Sequence, residues 1–225
     1  MDQGTRGELL DRLAGAIESV TTSHPLRVAV DGPPAAGKTT LADELALLLR
    51  TRGREVIRTS SESFHRPRAQ RYRRGEFSAE ANYHDSFDYD ALRQVLLDPL
   101  GPDGDRRYQR AVYDLGTDTA LSPPPTTAAA DAVLLLDGVF LLRPELVDRW
   151  DLSIFVSVAF ERTLDRARIR DLPLLGSTAE VERRFRTRYI PAQELYFATA
   201  RPAEHADIIV HNDEPRLPGW EVRPR

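Results

Sequence analysis

The sequence predicts a three-layer α/β fold, with about five parallel strands flanked by helices, because short apolar runs alternate with segments of helical periodicity. An uninterrupted apolar run such as Ala132–Leu136 marks a strand covered on both faces, which is the condition of a parallel strand between helices. A second observation is local: the first such strand passes into a glycine-bounded loop and then straight into a helix.

Residues 1–24 are expected to hold an N-terminal helix, since Leu9, Leu10, Leu13, Ile17 and Val20 recur at helical spacing before His24-Pro25. Leu26–Val30 reads as a strand ending at Asp31-Gly32, and Thr39–Arg50 reads as a helix, with Leu41, Leu45, Leu48 and Leu49 on one side and Gly53 beyond its end. Glu55–Thr59 resumes strand character, so the opening of the chain is a βαβ unit. The polar, basic stretch Arg66–Ala81 has no clear period. Tyr89–Leu97 predicts a helix, Arg107–Asp114 a strand and Ser122–Pro125 a loop. Ala132–Leu136 and Leu152–Val158 predict buried strands, Glu161–Arg170 and Glu180–Thr199 helices, and Ala206–His211 a last strand.

A chain of 225 residues with 41% hydrophobic and 29% charged residues has the size and composition of one soluble domain, 1–225. No apolar run approaches the ~20 residues that cross a bilayer, and Met1–Leu10 is polar, so a cytoplasmic protein without a membrane partner is expected. The absence of cysteine excludes a disulfide scaffold, a thiol nucleophile and a cysteine-ligated metal. A net charge of −4 argues against a nucleic-acid partner, and the arginines of Arg66–Arg74 have only Tyr72 and Phe77 nearby for base stacking. A homo-oligomer is compatible with this composition.

Lys38 is the single lysine among 31 basic residues, and it falls in Gly32-Pro33-Pro34-Ala35-Ala36-Gly37-Lys38-Thr39, a G-x-x-x-x-G-K-[ST] pattern followed by Thr40. Glycines let successive backbone N–H groups face a polyphosphate, and the next helix offers its positive N-terminal end to the same anion. Lys38 would reach the β and γ phosphates of ATP, and the Thr39 hydroxyl would hold Mg²⁺. Elsewhere the chain uses arginine, whose planar fork does not replace a compact ammonium threaded into a tight loop.

Beyond this P-loop, the chain resembles the uridine kinase-like P-loop kinases, a group that includes phosphoribulokinase and bacterial pantothenate kinases. The resemblance runs from Leu26 to Asn212 and rests on Val30-Asp31-Gly32, Ser60-Ser61-Glu62-Ser63-Phe64, Phe87-Asp88, Val112-Tyr113-Asp114, Leu136-Asp137-Gly138-Val139, Arg168-Ile169-Arg170-Asp171 and Ala206-Asp207-Ile208-Ile209. It implies transfer of the γ-phosphoryl of ATP to a substrate hydroxyl. Glu62 falls at the position of the family's base, where uridine kinases usually carry an aspartate, and Asp137 at an acidic position that holds Mg²⁺ directly or through water. Residues 171–188 resemble a small arginine-rich lid, for which Arg166 and Arg170 are the candidate phosphate-binding side chains.

The nucleoside contacts depart from the family pattern. Asn82 or Tyr83 falls near the aspartate that holds the ribose hydroxyls, Ala167 at an arginine, and Asp118 at a histidine used for the pyrimidine, while Tyr113 and Asp114 persist. Candidate acceptor contacts are therefore Glu62, Asn82, Tyr83, His84, Tyr113 and Asp118, with Asp85 beside them. The acceptor is expected to be a uridine- or cytidine-type nucleoside, or else a non-nucleoside hydroxylated metabolite such as pantothenate or a sugar. A reading from another class, a nucleotide-binding regulatory NTPase without an acceptor, predicts hydrolysis indifferent to any alcohol.

Overall fold

The computed structural model describes residues 1–223; positions 224 and 225 of the expected 1–225 domain lie outside the described residues. The chain opens with a short strand β1 (Asp2–Gln3) and helix α1 (Arg6–Glu18). The start of α1 is set by Thr5, whose side chain accepts from the Glu8 N–H while its own N–H donates to the Glu8 carboxylate at 2.7 Å. Strand β2 (Leu26–Asp31), helix α2 (Lys38–Thr51) and strand β3 (Val56–Ser60) form the expected βαβ unit.

A single 3₁₀ turn, Ser61–Phe64, follows β3, and the polar stretch after it folds into short helices α3 (Arg68–Arg71), α4 (Ala79–Asp85) and α5 (Tyr89–Leu92), the last running into a π turn Arg93–Leu97. The expected strand Arg107–Asp114 is two pieces, β4 (Arg107–Tyr108) and β5 (Tyr113–Asp114). They do not continue one another because β5 turns back on β6 (Thr119–Ala120), whereas β4 pairs with β7 (Thr126–Thr127).

Strands β8 (Val133–Gly138) and β9 (Leu152–Ser157) lead to α6 (Phe160–Arg170), α7 (Leu172–Leu175) and α8 (Thr178–Arg184). The helix expected over Glu180–Thr199 is continuous in path but changes pitch: a π turn Phe185–Tyr189 joins α8 to α9 (Ile190–Ala200). After α10 (Pro202–His205), strands β10 (Ile208–His211) and β11 (Gly219–Val222) complete the chain.

The main sheet has the order β1-β11-β10-β9-β2-β8-β3. Its five inner and far-edge strands, from β10 to β3, are parallel as expected. The two antiparallel strands β11 and β1 were not expected, and they close the edge beside β10. Side chains alternate between the two faces of the sheet: Val28, Val30, Val133 and Leu135 pack with Leu41, Leu45 and Leu49 of α2, whereas Ala29, Leu134 and Leu136 pack with Phe64, Phe140 and Tyr196. Each fully buried leucine of α2 contributes roughly 1.5–3 kcal/mol, so this face fixes the helix on the sheet and with it the loop that precedes the helix.

Register then gathers the functional segments. Val30 lies beside Asp137 on β8, Ser60 of β3 lies on the other side of Asp137, and Asp31 lies beside Gly138. The phosphate loop, Asp137 and the Glu62 turn thus emerge together at the carboxyl ends of adjacent strands, where open α/β sheets bind ligands. A smaller apolar cluster of Leu164, Ala167, Val181 and Phe185 reaches Ala35 of the loop, so the 171–188 region packs on the loop's other side.

Candidate active site

Gly32 and Gly37 take φ of +147° and +94°. At Gly32 an added Cβ would stand 2.4 Å from the Val156 carbonyl oxygen, so both conformation and space require glycine there. Lys38 begins α2 and is buried, with Nζ donating to the Pro33 carbonyl at 2.8 Å. Burial pushes its ammonium down to about 8, and the carboxylates of Asp137 and Asp31 oppose that shift. Glycine-bent backbone leading into the start of a helix is an arrangement that suits a phosphate chain. Asp31 sits fully buried under the loop, where burial raises its carboxyl against hydrogen bonds donated by Tyr196 Oη and Leu141 N.

Thr39 Oγ1 donates to Asp137 Oδ2 at 2.6 Å. The other oxygen, Oδ1, stands 2.6 Å from Arg58 Nη1 without hydrogen-bond alignment, and is a buried acceptor with no hydrogen-bond partner. A hydroxyl and one incompletely satisfied carboxylate, with phosphate oxygens to come, suit Mg²⁺, which is bound through one or two carboxylates plus phosphates and waters. Among the described residues no cluster of three or more His, Cys, Asp or Glu offers an all-protein metal cage.

Glu62 projects from the 3₁₀ turn into a cleft of about 540 Å³ that Pro34, Ala35, Lys38, Thr39 and Asp137 also line. Its carboxylate lies 3.0 Å from His65 Nε2, while His65 Nδ1 lies 2.9 Å from the Ser86 carbonyl and the ring stacks on Phe87 at 4.3 Å. Partial desolvation raises the Glu62 carboxyl, and the hydrogen bond and charge of His65, with Lys38 and Arg170, outweigh it, leaving it below its ordinary value. Gly138 is needed to admit this turn, since an added Cβ would be 2.3 Å from Ser61 Oγ.

The structure separates the candidate residues. Lys38, Thr39, Glu62, Asn82, Asp137 and Arg170 line the cleft. Arg170 is ion-paired with Asp171 at 2.6 Å and acts electrostatically on both Lys38 and Glu62. Arg166 is not in the cleft: its guanidinium donates to the carbonyls of Ala36, Asn212 and Asp213, because α6 turns it toward the back of the loop. Tyr83 is a correction as well. It is buried among Phe140 and Tyr196, with its hydroxyl hydrogen-bonded to Thr199, on the core side of α4. His84 is exposed and outside the cleft. Tyr113 donates to Asp118, and Asp118 accepts from Arg71 at 2.7 Å, so both stand behind a cleft residue rather than in the cleft.

Sequence reasoning missed how the rest of the cleft is furnished. His65, Arg68, Arg71, Tyr72, Ser86 and Arg188 also line it. The basic runs Arg66–Arg74 and Arg183–Arg188 were visible signals, but which members face inward depends on α3 and on the π turn at 185–189.

No family model matches the chain. Uridine-cytidine kinase B of Dictyostelium discoideum is 25% identical over 190 residues, covering 84% of this chain and 75% of that protein. The structure of a possible uridine kinase from Bacillus stearothermophilus superposes with a TM-score of 0.72 at 25% identity, covering 90% of this chain and 97% of that one. The chain is similar to uridine kinases in both sequence and fold. The fold alone is shared more widely, for example with the D-glycerate 3-kinase of Cryptococcus neoformans at a TM-score of 0.65, 14% identity and coverage of 95% and 99%. Among the described residues no helix is long and apolar enough to cross a membrane.

Proposed function

We propose that the protein transfers the γ-phosphoryl group of Mg·ATP to a hydroxyl of a small metabolite. The observation that carries this reading is the convergence of the phosphate loop, the Thr39–Asp137 pair and a further carboxylate, Glu62, in one cleft. A nucleotide regulator needs the first two; a carboxylate held by its own histidine beside them suits proton removal from an acceptor.

The residues divide the work as follows. Lys38 and Arg170 hold the β and γ phosphates and offset charge as it shifts toward the leaving ADP oxygen. Thr39 and Asp137, directly or through water, would hold Mg²⁺, which would supply further charge neutralisation. Glu62 accepts the acceptor's hydroxyl proton as that oxygen bonds to the γ-phosphorus and the bond to the β-bridging oxygen breaks. His65 keeps the Glu62 carboxylate ionised and aimed. Packing of Val181 and Phe185 from the 171–188 region against Ala35 holds that region beside the loop.

A uridine- or cytidine-type nucleoside is the acceptor suggested by the resemblance and by the named relatives. A second reading, a non-nucleoside metabolite such as pantothenate or a sugar, is favoured by one observation: none of Tyr83, Tyr113 and Asp118 lines the cleft. ADP formation from Mg·ATP, measured against a panel of nucleosides, pantothenate and sugars, tests the kinase reading. An acceptor should stimulate turnover, and Glu62→Gln should remove about 10²–10⁴-fold of it. ADP formation that no acceptor stimulates, and that Glu62→Gln leaves intact, would favour the regulatory NTPase instead.

A further inference from the structure

Charge is unevenly distributed along the cleft. Its lining carries six lysine and arginine side chains, Lys38, Arg68, Arg71, Arg170, Arg184 and Arg188, against three carboxylates, Glu62, Asp137 and Asp171. Lys38 and Arg170 belong to the phosphate end, where the triphosphate answers them, and Arg184 is paired with Glu76 and Glu180. Arg68 stands 3.8 Å from Glu76 and Arg71 is paired with Asp118, which leaves Arg188 as the lining arginine without a carboxylate partner.

Arg188 is the extreme case. It is 3% exposed, and among the described residues no carboxylate lies within ion-pair distance of it. Its guanidinium donates to the Glu76 carbonyl at 2.9 Å, to the Ser78 carbonyl at 3.2 Å and to Ser86 Oγ at 3.4 Å, and it stands 4.8 Å from the centroid of the Tyr72 ring. Burial depresses its affinity for its proton, and the neighbouring Arg184 and Arg71 deepen the shift. Arg71 is 8% exposed; its Nη2 is paired with Asp118 at 2.7 Å, but its buried Nε has no hydrogen-bond partner. Arg68 and Arg71 lie over the same Tyr72 ring, at 4.9 and 5.6 Å, so three guanidinium groups are gathered round one phenol.

A neutral acceptor would leave the Arg188 charge buried and without a counter-ion, which is costly; an oxyanion would accept from it and from Arg71 in the geometry that a planar fork favours. We propose that the acceptor carries an anionic group, a carboxylate or a phosphate ester, which Arg188 and Arg71 bind while its hydroxyl is presented to Glu62. The proposal rests on the kinase reading and names the substrate class of the same cleft. Ser86 fixes the arrangement: its hydroxyl accepts from Arg188 and donates to Asn82 Oδ1, and its carbonyl faces His65, so the anion site and the Glu62–His65 pair share one support.

Matched pairs of acceptors test it, with ADP release read at saturating Mg·ATP: D-glycerate with glycerol, D-gluconate with D-glucose, pantothenate with pantothenol, and ribose 5-phosphate with ribose, alongside uridine. In at least one pair the anionic member is expected to exceed its neutral partner by about 100-fold in kcat/KM. Success among the acids identifies a carboxylate, and success only for ribose 5-phosphate a phosphate ester. Arg188→Gln and Arg71→Gln should each collapse that ratio, mainly by raising KM for the anion, and Arg188→Lys should restore part of it.

Should either variant fail to fold, the wild-type ratios still decide. If uridine or a neutral member matches the best anion, or no pair differs by threefold, the proposal is overturned while the kinase reading stands. If no compound stimulates ADP release, calorimetric titration of the same pairs into Mg·ADP-loaded protein separates the two failures: selective uptake of anionic members keeps the anion site and sinks the kinase reading, and uptake of none sinks the site too.

Discussion

The Glu62 carboxylate stands 3.0 Å from Nε2 of His65, the residue that follows the same 3₁₀ turn, and the other ring nitrogen of that histidine faces the Ser86 carbonyl at 2.9 Å. Because a carbonyl can only accept, Nδ1 carries a hydrogen, and the ring is a fixed strut between α4 and the carboxylate. The longer side chain of glutamate, where related kinases usually carry aspartate, is thereby given a definite direction.

On the proposed function, that relationship should set the acid limb of activity. Desolvation raises the Glu62 carboxyl, and the hydrogen bond and charge of His65 lead the influences that bring it below its ordinary 4.5. A base whose affinity for its proton is lowered stays ionised until the pH falls through that lowered value, so loss of kcat/KM from Glu62 protonation lies below 4.5. His65→Phe keeps the stack on Phe87 but removes the hydrogen bond and the charge, and the acid limb should move to higher pH with a fall in kcat. An unchanged pH profile would show that His65 does not govern Glu62.

Thr39 and Asp137 should act together in metal use. Thr39→Ala and Asp137→Asn are each expected to raise the Mg²⁺ concentration for half-maximal turnover by about tenfold or more. Metal-free nucleotide binding, followed by fluorescence of a labelled ADP, should change far less. Equal losses with and without Mg²⁺ would assign the pair to holding the loop.

The two arginines predicted for the lid should part company. Arg170→Ala should lower kcat by about 10-fold or more with little change in stability, since its guanidinium lines the cleft and bears electrostatically on Lys38. Arg166→Ala strips donors from the carbonyls of Ala36, Asn212 and Asp213 and should cost about 1–3 kcal/mol in urea unfolding. Its catalytic loss should appear mainly as weaker nucleotide binding.

Gly32→Ala probes the loop itself. With φ at +147° and the Val156 carbonyl 2.4 Å from the added Cβ, the change should destabilise the fold by about 2 kcal/mol or more and abolish nucleotide uptake. A fully stable variant that still binds Mg·ATP would contradict the geometry assigned to the loop.

The phosphate end was legible in the sequence because its parts are local: a fixed spacing of glycines, lysine and threonine, and a carboxylate ending each of two apolar runs. The acceptor end was not, for reasons of phase. Asn82 and Tyr83 are neighbours on the short helix α4, where one residue turns by a large angle, so one enters the cleft and the other the core. Seven residues hold too few turns for a polarity pattern to say which. Arg188 lies in a π turn that shifts the helical phase before α9, and a period of 3.6 does not foresee it. Strands β1 and β11 have two and four residues, too few to show alternation.

The most direct measurement follows the label from γ-³²P-ATP in the presence of the best acceptor, comparing wild type with Glu62→Gln. The account predicts label in the acceptor, linked through its hydroxyl oxygen, and its near-complete loss in the variant. Label found only in inorganic phosphate, at a rate indifferent to acceptor and to Glu62, would contradict it.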